Sequence, residues 1–239
     1  MAIRLPFFTL RPDLLDVGHR RRQPSGMRSP AQAIRPEHPD ADDALGEALH
    51  LLRVQGVVYA HSYLSAPWGI DLPALEGQML FHVVTAGHCW LEIDGSEPLR
   101  LERGSLALVP HGLGHRLVAD LGDTSEDFFA LPVERVSERS ERLVHGGGGD
   151  ECRLICVVVR FDSTGAGRVV DALPPVLHLD AWAAEEDRWL SDTLRIIARE
   201  ADSLRPGGET VITRLADVLL IQMVRHWLDH TDDLDHGWL

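Results

Sequence analysis

Four side chains in this sequence have types and spacings that could do chemistry: Tyr59, His61, His82 and His115. Leu80, His82 and Val84 alternate as on one face of a β-strand, and Tyr59 and His61 share a face of an earlier apolar stretch by the same period of two. In an apolar cavity a neutral imidazole can donate one hydrogen bond and accept another. The four residues therefore read as polar fixtures that orient a small-molecule ligand, or as core groups satisfied by their neighbours. Metal chemistry is less well provided for. His82 and His115 are the two inward candidates, whereas a closed zinc site takes four protein ligands and an open one three plus water. No metal or other cofactor is expected. His88 falls on the opposite face from Cys89, Leu91 and Ile93, and His111 sits in a Pro110–Gly112 bend, so both should face solvent. No nucleophile has a placed base, and no paired carboxylates sit in an apolar setting, so no catalytic residue is named. The run Gly146–Gly149 is not followed by the Lys, Ser or Thr of a phosphate loop.

The elements that must position these residues are short strands. Leu80 to Val84 leads through a turn at Ala86 and Gly87 to Cys89, Leu91 and Ile93; Asp94 and Gly95 make a tight turn, and Leu99 and Leu101 resume the alternation until Gly104. Even spacing of such strands from Val54 through Val118 predicts an antiparallel barrel or sandwich. Residues 120–150, rich in acids and arginine and ending in four glycines, read as a mobile insertion on its rim. Cys152–Phe161 is a strongly apolar strand, consecutive from Leu154 to Val159, which suits burial. Leu173, Pro174 and Pro175 should end the β part. Two helices follow: one capped by Asp180, with Leu190, Leu194, Ile197, Ala201 and Leu204 at spacings of four and three, and one over about Glu209–Leu228, separated by Pro206, Gly207 and Gly208.

Gly104, five residues, Pro110, one residue, Gly112, two residues and His115 match the second sequence motif of the cupin barrels, which delivers one inward histidine. Together with Val57–Leu64, the Pro67–Trp68–Gly69 corner, Phe81–Val84, Gly87–Leu91 and Leu173–Pro175, the stretch from about 43 to 230 resembles the cupin-type sensor domain of AraC-family transcription regulators. The resemblance implies a mainly β fold, a cupin-like antiparallel β-barrel (jelly roll) followed by an α-helical hairpin. It also implies an effector-binding and dimerising role, with DNA bound through a helix-turn-helix domain that this chain lacks. The alternative within the fold is a small metal-dependent dioxygenase or isomerase. Aligning Gly87 with the glycine of the first cupin motif puts Leu80 where the family has a ligating glutamate and leaves its two histidines without counterparts, so of the usual four ligands only His115 remains.

Domain expectations follow: an Arg- and Pro-rich, disordered arm over 1–41, the barrel over 42–176 with a short helix at 43–52, the hairpin over 177–230, and the start of a linker over 231–239. The 239 residues carry 23 basic side chains, all arginine, against 37 acids, a net charge of −14. That balance argues against a nucleic-acid surface, which needs clustered cations. Three cysteines without a CxxC pair, no apolar run of membrane-spanning length and no secretory apolar segment predict a cytoplasmic protein with no membrane partner. The second helix is apolar round most of its circumference, wider than the stripe one packing partner covers. A homodimer seam through Leu215, Leu219, Gln222 and Met223 is the expectation.

Overall fold

The computed structural model describes residues 54–161, 170–180, 188–203 and 205–230, which all belong to one compact unit, Asp40–Leu239. The expected arm, the helix over 43–52 and the linker over 231–239 lie outside the described residues. In chain order the strands are β1 (Val54–Ser65), β2 (Gly69–Leu72), β3 (Gln78–Ala86), β4 (His88–Ile93), β5 (Leu99–Glu102), β6 (Ser105–Val109), β7 (His115–Val118), β8 (Glu126–Asp127), β9 (Val133–Arg135), β10 (Ser140–Gly146), β11 (Glu151–Phe161) and β12 (Leu177–Asp180). The helices are α1 (Arg188–Ser203) and α2 (Gly208–Asp229). The fold is the expected mainly β, cupin-like one with C-terminal helices. Among the described residues, no helix is long and apolar enough to cross a membrane.

Two sheets form, one of seven strands in the order β12-β6-β3-β11-β1-β10-β9 and one of five in the order β5-β4-β7-β2-β8. Pairing is antiparallel except for β1 with β10 and β2 with β8. Strand β4 alternates half-buried and buried residues as its sequence predicts, so only one of its faces meets the core. The centre of the large sheet is different. From Met79 to Val84 no residue of β3 is more than 2% exposed, because both faces of that sheet are covered. One face, bearing Leu80, His82 and Val84, looks into the barrel. The other bears Tyr59, Phe81, Leu108 and Val157 and packs in one cluster with Leu190, Leu194 and Ile197 of α1 and Ile212, Leu219, Leu220 and Met223 of α2.

Three expectations are corrected. Residues 120–150 are not a loose rim insertion: they supply β8, β9 and β10, and β10 pairs with β1 over seven positions. The glycine run is a packed corner. The amides of Gly147 and Gly149 donate to the Ser65 and Ala66 carbonyls at 2.8 Å each, and a Cβ on Gly146 would overlap the Ser65 carbonyl oxygen. Glycine is there because the two backbones approach too closely for a side chain. The β part also continues beyond Pro175. Leu177–Asp180 pairs with β6, so the hairpin does not begin at 177, and Asp180 is a strand residue whose carboxylate accepts from Ser105 Oγ rather than capping a helix. Finally, Leu219 and Met223 are 2% and 1% exposed within the chain itself and cannot form a seam with a partner. The apolar breadth of α2 arises because the helix packs on both the sheet and α1.

Candidate functional site

Inside the barrel the two sheets bring His82 and His115 together. His82 stands on the central strand β3 and is fully buried; His115 opens β7 in the opposite sheet and is 4% exposed. The bend before His115 depends on Gly112, at φ +59°, where an added Cβ would strike the Leu75 carbonyl oxygen. His111, in that bend, is half-buried with its Nε2 2.8 Å from the Leu173 carbonyl, which corrects the expectation that it faces solvent freely.

The ring nitrogens form a chain. His115 Nδ1 lies 2.7 Å from the Leu113 carbonyl, His115 Nε2 lies 2.7 Å from His82 Nε2, and His82 Nδ1 lies 3.2 Å from Cys156 Sγ. A carbonyl only accepts, so His115 must carry its proton on Nδ1 and present a lone pair at Nε2. His82 then donates from Nε2, and its Nδ1 accepts from the Cys156 thiol. The directions of the three titrations agree with this neutral state. Burial, helped by the neighbouring ring, pushes His82 well below the usual histidine range. Burial lowers His115 too, against the opposing effect of the Leu113 carbonyl. Burial, reinforced by Cys152, pushes the Cys156 thiol up to about 12. Nearby, Cys89 shares a hydrogen bond with Cys152, which with burial raises its thiol well above the ordinary value.

This arrangement does not fit a cupin metal centre. Cys156 engages the imidazole nitrogen of His82 opposite to the one facing His115, so the three cannot converge on one ion. Among the described residues, no group of three or more His, Cys, Asp or Glu side chains could hold a metal. Nor are Tyr59 and His61 partners of the pair. Tyr59 is opposite Val157 and Phe81 is opposite the same Val157, whereas His82 is opposite Cys156. Cross-strand partners share a face, so Tyr59 and His61 lie on the helix side of the sheet and His82 on the barrel side. Burial raises the Tyr59 phenol, offset by its hydrogen bond with Ser140. His61 instead lines a cleft on the helix side with Tyr63, Thr85 and Arg153, residues for which the sequence offered no motif.

A family model described as cupin matches residues 43–229. The chain belongs to the cupin family. Curated relatives of this cupin include an AraC-like transcription regulator of Streptomyces antibioticus, 28% identical over 200 residues, covering 82% of the chain and 63% of the relative. The HTH-type transcriptional regulator MtrA of Neisseria gonorrhoeae is 25% identical over 202 residues, covering 82% and 64%. The chain thus spans just under two thirds of the length of these relatives, and the AraC-type cupin domain expected from the sequence is supported. Among solved structures, ToxT of Vibrio cholerae aligns with a TM-score of 0.39 at 10% identity over 75% of this chain and 59% of that one.

Proposed function

We propose that this cupin is the effector-sensing and dimerising region of an AraC-type transcription regulator, with DNA contacted by a separate reading domain. The observation that carries the reading is the layering: the seven-stranded sheet has His82 of the buried histidine pair on its barrel face and the helices on its other face. A small molecule that shifts β1, β3 or β11 therefore acts directly on the surface presented by α2. With Leu219 and Met223 taken by the core, the remaining stripe is Val211, Leu215, Val218 and Gln222, at spacings of four, three and four, exposed at the two valines and half-buried at Leu215 and Gln222. Val211 and Val218 are 38% and 43% exposed. A second copy using the same stripe by twofold symmetry would cover it.

Sedimentation of the wild-type chain should give a dimer, and Val218→Glu a monomer that still melts cooperatively, below wild type only by what dimerisation adds. A monomeric wild type, or a Val218→Glu variant that stays dimeric, overturns the dimer.

A further inference from the structure

Beside Ala198 of α1, on the helix side of the large sheet, His61, Tyr63, Thr85, Arg153 and Ile155 line a cleft of about 200 Å3. That is smaller than the roughly 300–1,000 Å3 of pockets for drug-sized ligands. The cleft is built on an irregularity. Arg153 is opposite Ala86 and Leu154 is opposite Val84, which leaves Thr85 as an extra residue in β3. Such bulges re-aim side chains and recur beside binding sites. Thr85 Oγ1 donates to the Arg153 carbonyl at 3.2 Å, and the Arg153 guanidinium lies 5.8 Å from the centre of the Tyr63 ring, its cross-strand partner. Stacking of this kind holds a guanidinium without consuming its N–H donors.

The charge of Arg153 is weakly engaged. Its Nη2 meets Glu151 at 3.3 Å, but the two side chains are 53% and 73% exposed, so water screens the pair. A guanidinium carries five donors in a planar fork that matches a carboxylate with two parallel bonds. Beside the fork, Ile155 is 3% exposed and Ala198 half-buried, which gives an apolar floor.

We propose that this cleft binds a small organic carboxylate, its anion on Arg153 and its carbon body on Ile155 and Ala198. This deepens the effector-sensing reading and rests on it: the site moves from the barrel interior, where the histidine pair is already satisfied, to the boundary of sheet and helix. An occupant there touches β11 and α1 together and ties the helical pair to the barrel.

The test is calorimetric titration of the whole chain with benzoate and with benzamide, its uncharged isostere, on wild type and Arg153→Gln. Benzoate should bind wild type at least about tenfold more tightly than benzamide, and Arg153→Gln should remove that preference, as loss of a charged hydrogen-bond partner does. The exposed position of Arg153 lets the variant fold, which an unchanged circular dichroism melt confirms. Equal affinity for the two probes, no benzoate binding, or a preference that survives Arg153→Gln overturns the carboxylate site. Thermal-shift screening of both proteins with neutral sugars, amines and aromatic compounds separates the two claims. Stabilisation by such a compound, equal in wild type and Arg153→Gln, together with no Arg153-dependent benzoate preference sinks the cleft and keeps the sensor, whereas no stabilisation by any compound, benzoate included, sinks both.

Discussion

Leu219→Glu unfolds the chain instead of separating subunits. Leu219 is 2% exposed and packs with the sheet residues Phe81 and Val157 and with Leu194 of α1 in one cluster. Replacing it removes a full apolar side chain, a loss of about 2–5 kcal/mol even with alanine. A carboxylate in that place must also be protonated or drag water into the core. Against a total stability of roughly 5–15 kcal/mol, the glutamate variant is at or beyond the limit of folding. Its neighbour Val218 is 43% exposed, so the same substitution one residue earlier leaves the fold intact. Thermal melts followed by circular dichroism decide the matter. Leu219→Ala should melt at least about 5 °C below wild type, at roughly 2–4 °C per kcal/mol for a domain of this size. Leu219→Glu should show no cooperative transition. A Leu219→Glu melt within a degree or two of wild type would show that this face of α2 is not packed on the sheet.

Much of the fold was legible because alternation records burial. The Cys89, Leu91, Ile93 series shows its buried face directly, and the breakers at Gly87, Gly95 and Gly104 mark true turns, each with positive φ. That His82 and His115 both face inward followed from the same period of two plus the glycine–proline spacing that ends at His115; their direct contact is seen only in the structure. What alternation cannot give is the phase between strands. Tyr59 and His61 do share a face, but only the register through β11 shows that it is the face away from His82. Strands β9 and β10 escaped notice because they are rich in Glu and Arg. In β10 only Ser140 and Leu143 are buried, so it carries little of the β-branched and aromatic content that marks a strand. The breadth of the apolar surface on α2 was legible, but Leu219 and Met223 within it are covered by the sheet and α1. A sequence shows how much of a helix is covered, not whether a sheet or a second copy covers it. Of the Arg153 cleft only His61 was named from the sequence, since the cleft arises from a bulge at Thr85 and from the approach of α1 at Ala198.

Acidification should destabilise this protein through His82 and His115 specifically. In the unfolded chain both rings titrate near the ordinary 6.5, whereas in the fold burial holds both below it. The unfolded state therefore binds more protons in the window below pH 6.5, and stability rises with pH there: it is fully present above about 6.5 and is lost as the pH falls. Each ring contributes at most on the order of 1 kcal/mol between pH 7.5 and 5.5, since one pKa unit is worth about that much. The geometry supplies the reason. With the Leu113 carbonyl fixing a proton on His115 Nδ1, an added proton on Nε2 would set two N–H groups head to head across 2.7 Å. Among the described residues, neither ring has a carboxylate as a hydrogen-bond partner to stabilise the cation. Urea denaturation of wild type and of His115→Gln at the two pH values tests this, because the difference between pH values cancels whatever the substitution costs at neutral pH. The variant should lose roughly half of the wild-type pH effect. A second readout needs no variant: of the 13 histidines, two imidazole signals should titrate below the ordinary histidine range by NMR. A full set of rings titrating near 6.5, or a wild type equally stable at both pH values, would mean that the buried pair is not the closed neutral chain described above.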